Sequence, residues 1–199
     1  IVKGSALSLS IVDNALYVDG TAGGNFGVTA DFSSFFGGTL QTNFQISADF
    51  NNSGGTTVQS RLFALATDGS GNTGYTLQCL GDRLRIMKNG AEVSAVTFDN
   101  NGHPYILTLT GTYNTDGSLT LTGKKNITGD GVVETVSYTD TSVLTDTMFG
   151  VGGRLSNASA IVVSDNFTVQ AIPEPATLGL LGISGVVVVF LRRCCKKQA

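Results

Sequence analysis

Tryptophan is absent from this chain of 199 residues, histidine occurs once, cysteine three times, and only 14% of the residues are charged. Each shortage closes off a class of function. Without tryptophan there is no indole platform for stacking a sugar ring. A nucleophilic triad needs a histidine beside its nucleophile, and His103 in "NGHPY" reads as a turn entering a strand. Three cysteines do not make a disulfide framework. In "YTLQC", Cys79 shares a strand face with Tyr75 and Leu77, which predicts a buried, unreactive thiol. Cys194 and Cys195 lie beyond an apolar run, on the side expected to be reducing.

Acidic and basic residues are short in different places. Residues 1–171 carry 14 acidic and 8 basic side chains, a net of −6, whereas the remainder sets Arg192, Arg193, Lys196 and Lys197 against Glu174. An acidic body excludes nucleic acid as a partner, because phosphates need a basic face. The same residues hold only two glutamates: Glu92 after an Asn-Gly turn and Glu134, expected on a solvated strand face. Glycosidic hydrolysis takes a protonated and an ionised carboxyl group facing each other, so catalysis is not expected. The chain begins at Ile1, with no charged segment and apolar stretch before the domain, which is read as a leader removed or trimmed away.

Helical periodicity is also missing before residue 176, and strand periodicity takes its place. In "NFQISADF", Phe44, Ile46, Ala48 and Phe50 face one way while Asn43, Gln45, Ser47 and Asp49 face the other. In "YILTLTGTY", Tyr105, Leu107, Leu109 and Tyr113 alternate with threonines. Such alternation marks strands with one dry and one wet face. Asn89-Gly90, "NTDG" at 114–117 and Asp130-Gly131 separate successive strands with residues that tolerate positive φ. "GSGNTG" at 69–74 matches G-x-G-x-x-G, but strands lie on both sides of it. A phosphate loop must open a helix, so it is read as a connection. About twelve short strands are too many for one flat sheet. The expected fold is all-β: an antiparallel two-sheet sandwich of jelly-roll type over residues 1–170.

The segments "NALYVDGTAG", "FQISADF", "GYTLQCLGDRLRIMKNG", "YILTLTGTYNTDGSLTLTG" and "VSDNFTV" resemble a laminin-G-like, concanavalin A-like sandwich. The resemblance implies two curved sheets with the first and last strands close together. Glucanases of similar fold carry Glu, Asp and Glu along one strand; no E-x-D-x-x-E cluster is present here. Calcium at a sandwich edge is a further implication, with Asp19 and Asp165 as candidate ligands if the terminal strands pair. "DGSGN" at 68–72 lacks the helix-flanked pattern of a calcium loop. Thr108, Thr110 and Thr112 should lie beside Thr120 and Thr122 across a hairpin, forming a flat hydroxyl-and-methyl face suited to sugar or ice. Asn51, Asn126, Asn157 and Asn166 occupy N-x-[ST] sequons, which chance alone produces in a chain this rich in Asn and Thr.

The sole long apolar run is "ATLGLLGISGVVVVFL" over 176–191. Pro173 and Pro175 keep "IPEP" extended, and Pro175 suits the first position of a helix. Sixteen residues make about 24 Å of helix against roughly 30 Å of hydrocarbon, a gap that flanking arginines can close by snorkelling. Arg192, Arg193, Lys196 and Lys197 then place the C-terminus in the cytoplasm and the body outside. Pro173-Glu174-Pro175, the Gly-rich apolar run and the basic cluster together resemble the PEP-CTERM sorting signal of bacterial exosortase substrates. That resemblance implies residues 171–199 are a sorting signal read by an exosortase-type membrane protease. It also implies a protein exported, held by a transmembrane helix, then released to the surface or matrix. The Cys194-Cys195 pair departs from the usual ending. The expectation is a non-enzymatic protein that binds or organises extracellular polysaccharide. A self-associating matrix protein is the alternative, with a glycosidase-like enzyme and an ice-binding surface ranked below.

Overall fold

The structure is a computed structural model. It describes residues 2–4, 7–12, 15–20, 25–33, 43–52, 58–68, 73–98, 104–155 and 161–172, with side chains from residue 26 onward except at 161. The expected membrane helix over 176–191, His103, Cys194 and Cys195 lie outside these residues. Among the described residues there is no helix.

Among the described residues, fourteen strands form two seven-stranded sheets. Sheet I runs in the order β1 (Val2–Gly4), β4 (Asn25–Asp31), β13 (Met148–Arg154), β6 (Gln59–Ala66), β7 (Tyr75–Leu80), β8 (Arg83–Lys88) and β9 (Ala91–Thr97). Sheet II runs β12 (Val133–Asp140), β11 (Leu119–Ile127), β10 (Tyr105–Tyr113), β5 (Phe44–Phe50), β14 (Ile161–Ala171), β3 (Ala15–Gly20) and β2 (Leu7–Val12). Every pairing is antiparallel. The expected sandwich is what forms, and the last strand, β14, pairs with β3 close to the N-terminus.

Side-chain alternation decides which face each strand buries. Phe44, Ile46, Ala48 and Phe50 point inward from β5, and Tyr105, Leu107 and Leu109 from β10. They meet Leu62, Leu77, Leu84 and Ile86 from sheet I in one core. Each such side chain removed from water contributes about 1.5–3 kcal/mol. Phe149 sets its edge against Phe44 at 5.1 Å and Phe32 at 5.8 Å, the arrangement that ring quadrupoles favour. Cys79 is buried on this inner face with Tyr75 and Leu77, and burial pushes its thiol pKa up. The turns follow their sequences: Asn89 and Gly90 both take positive φ (48° and 78°), and Gly117 closes the β10–β11 hairpin at 83°.

Charged side chains also take inward positions. Lys125 occupies the inner face of β11, 1% exposed, its ammonium 4.3 Å from the Phe98 ring and 4.8 Å from that of Tyr105. Glu134 pairs directly with Lys125 across β11 and β12. It therefore belongs to the inner side of β12, with Val136 and Asp140, and not to the solvated face expected of it. Directly opposed residues in an antiparallel pair share a face, so Lys125 fixes the side on which Glu134 stands.

Candidate ligand faces

The outer face of sheet II carries the hydroxyl ladder. The register places Thr110 opposite Thr122 and Thr112 opposite Thr120, while Thr108 faces Lys124. Neighbouring strands extend it. Ser47 and Gln45 flank Thr108 and Thr110 on β5, and Ser137 and Thr139 flank Thr122 and Thr120 on β12. The structure thus brings the five threonines of the sequence onto one surface. Part of the ladder is satisfied within itself: the Ser47 and Thr168 hydroxyls are 2.8 Å apart, and those of Thr120 and Thr139 are 3.1 Å apart.

Asp165 lies on β14 and Asp19 on the neighbouring β3, at different heights. Asp19 on β3 pairs with Ile161, four residues before Asp165. At the usual rise per strand residue that is roughly 13 Å, so the backbone does not bring the two into one coordination sphere. Asp165 instead faces Asp49 on β5. Asn166 sits between them, its side-chain amide donating to Asp49 at 2.7 Å and its backbone N–H to Asp165 at 2.7 Å. Sequence reading missed this pair because Asp49 and Asp165 come from distant segments. No group of three or more metal-ligating side chains occurs among the described residues.

The outer face of sheet I went unnoticed in the sequence, and it is the less ordinary of the two. β6 is buried along its whole length, so its outward residues Gln59, Arg61 and Phe63 are as covered as its inward ones. The register lays Gly152 of β13, Arg61 of β6, Gln78 of β7 and Arg85 of β8 in one row across the sheet. Gly152 leaves the room this row needs, since a Cβ there would collide with the Phe26 carbonyl and the Phe63 ring. A chain of side-chain bonds follows the row. Arg85 Nε donates to Gln78 Oε1 at 2.7 Å, the Gln78 amide donates to Gln59 Oε1, and Arg61 Nη2 donates to the same oxygen at 2.8 Å. Glu92 closes one end, with Arg83 at 2.6 Å and Arg85 at 3.3 Å.

What remains on this face is unmatched donors. Of the four buried side-chain polar atoms without a partner among the described residues, Arg61 Nε, Arg83 Nε and Thr76 Oγ1 lie here. Arg61 is 8% exposed. Burial, then the nearby Arg154 and Arg85 guanidiniums, lowers its pKa to about 10, so it stays charged at neutral pH. Among the described residues, the guanidiniums of Arg61, Arg83, Arg85 and Arg154 share the face and Glu92 is the carboxylate that pairs with any of them, on a domain whose overall charge is negative.

Residues 171–193 match the family model of the PEP-CTERM protein-sorting motif. The match begins at the last residue of β14 and takes in Pro173, Glu174, Pro175, Arg192 and Arg193. No curated protein matches the sequence. Among solved structures, a carbohydrate-binding module CBM66 from Bacillus subtilis superposes with a TM-score of 0.53 at 13% identity, over 85% of this chain and 95% of that one. The exoplasmic/lumenal domain of VIP36, in its Ca2+/Man-bound form, gives 0.59 at 11% identity over 87% and 84%. Lectin II from Ulex europaeus gives 0.51 at 15% identity over 85% and 92%. At such identities the likeness is one of fold, a lectin-like, concanavalin-like β-sandwich.

Proposed function

We propose that this chain is an exported, non-enzymatic carbohydrate-binding protein, carried to the cell surface by its C-terminal signal. The observation that carries the reading is the outer face of sheet I, where buried guanidinium and hydroxyl groups hold polar atoms without partners among the described residues. Buried polar atoms left without partners call for an occupant, and a hydroxyl-rich ligand supplies acceptors. Proteins of similar fold described as a carbohydrate-binding module, a mannose-bound lumenal domain and a lectin support this choice. The sorting motif supports an exported location. An exosortase-type membrane protease would read Pro173-Glu174-Pro175, with Arg192, Arg193, Lys196 and Lys197 holding the tail in the membrane. Thr108, Thr110, Thr112, Thr120 and Thr122 would offer a second, weaker contact surface.

A non-catalytic role fits how the acids are engaged. Glu92 is held by two arginines, Glu134 stands beside Lys125, and Asp49 and Asp165 both accept from Asn166. The test is a polysaccharide panel titrated against the full chain in detergent, with calcium and in chelator. Retention of at least one polysaccharide without shortening it is the expected result. Purified protein that shortens the polymer, and stops doing so as Asp165→Asn, would replace the reading with an enzyme. Binding lost only in chelator would assign calcium a part.

A further inference from the structure

We propose that the outer face of sheet I binds a carboxylate-bearing polysaccharide, with Arg61 and Arg154 meeting the acidic group and Arg85 held ready beside them. The inference rests on the carbohydrate reading above and names the ligand class of the same face.

Counting acceptors leads there. The face has few, and among the described residues only the Thr76 hydroxyl, which can also donate, is not already in use. Gln59 Oε1 accepts from both Arg61 and Gln78, Gln78 Oε1 accepts from Arg85, and the two Glu92 oxygens go to Arg83 and Arg85. The unused groups at Arg61 Nε and Arg83 Nε are donors. A surplus of N–H groups around a net positive charge suits a group that only accepts and carries negative charge. Glu92 shows the pattern on the page: one carboxylate spans two guanidiniums. Arg61 and Arg154 have no such carboxylate among the described residues, and the Arg154 guanidinium adds to the cost that burial sets on the charge of Arg61.

A buried guanidinium without a counter-ion is costly to keep. An arginine fork and a carboxylate match in plane and spacing, which a lysine cannot reproduce. The rim of the site is reachable, while Arg61 behind it is 8% exposed. Arg154 is exposed at the end of β13, and the Arg83 side chain keeps 42% of its surface. A polymer would meet Arg154 and Arg83 first and place one carboxylate over Arg61. The −6 body would repel a polyanion elsewhere on its surface, which confines docking to this face.

The experiment uses the full chain in detergent micelles, in chelator, titrated by calorimetry with three probes. These are polygalacturonate, its methyl ester (the same sugars with the carboxylates masked) and polyglutamate, which has carboxylates without sugars. Polygalacturonate should bind at least about tenfold tighter than either of the others, the worth of one charge-assisted hydrogen-bond set. Arg154→Gln should weaken it about tenfold with the melting temperature unchanged. Arg61→Met should do the same, and Arg61→Lys should fail to restore affinity. Equal binding of the ester, or no binding of polygalacturonate, overturns this inference and leaves the carbohydrate reading to the neutral polysaccharides of the panel. Equal binding of polyglutamate keeps the anion site and overturns the carbohydrate reading instead.

Discussion

Asp140 is almost fully buried where β12 ends, and its carboxylate is surrounded by donors. The Tyr75 hydroxyl donates to it at 2.5 Å, the Lys88 ammonium lies at 2.6 Å, and the Ser142 N–H donates at 2.9 Å. Burial alone would raise its pKa; the bonds from Lys88, Tyr75 and Ser142 overcome this and leave it below the usual carboxylate value. A carboxylate with a lowered folded-state pKa stabilises the fold above its unfolded value of about 3.9. That contribution is lost as pH falls through the folded value. Asp140→Asn should therefore lower stability at pH 7 and flatten its decline below about pH 4, measured by urea titration across pH. Tyr75→Phe removes one strong donor from Asp140 and the acceptor of the Leu144 N–H. A loss of about 1–3 kcal/mol is expected, because Asp140 keeps Lys88. An unchanged midpoint in both variants would show that the cluster adds nothing. Cys79, buried with a raised pKa, should resist alkylation in the folded protein at pH 8 and react once denatured, since the thiolate is the nucleophile.

At the level of strands, the glycines of β13 set what the first sheet can carry on its outer side. Gly152→Ala would drive a Cβ into the Phe26 carbonyl and the Gly27 backbone, neither of which is a yielding side-chain tip. A cost of about 1–3 kcal/mol is expected from the overpacking, read as a lower urea midpoint. Gly117→Ala meets open space but keeps a positive φ of 83°, so it should cost about 1 kcal/mol through backbone strain alone. The sandwich itself was legible because β5 and β10 alternate cleanly and Asn89-Gly90 and "NTDG" fix the β8–β9 and β10–β11 hairpins. The threonine ladder was legible for the same reason, since one tight turn sets the register of both its strands. The arginine row was not. In "QSRLFALA" nothing local says that the outward residues are as buried as the inward ones. Gln78, Arg85 and Gly152 join Arg61 only through three separate pairings. Lys125 was countable, two residues beyond Gly123 on the inner face of β11, but a lysine in that frame reads locally as a strand end.

Across the whole molecule, the described sandwich ends where the tail begins, at Ile172. Among the described residues, the hydrogen bond furthest along the chain is from the Ile172 N–H to the Asn43 carbonyl, at 2.7 Å. The matched sorting motif starts at Ala171, within one residue of that bond. A cut at Pro173–Pro175 would therefore leave in place every ladder hydrogen bond and every core side chain of the described residues. It would take away the basic residues at 192–197 and leave the acidic domain, which no longer has a reason to stay at an anionic membrane surface. In a host with the sorting enzyme, mass spectrometry of the mature surface protein should find a C-terminus near Pro173–Pro175. The released domain should melt at the temperature of the full chain. Glu174→Gln should slow the cut without changing that temperature, while neutralising Arg192, Arg193, Lys196 and Lys197 together should disturb the membrane orientation. A mature form still ending in "CCKKQA" would make the tail a plain anchor and end the processing proposal.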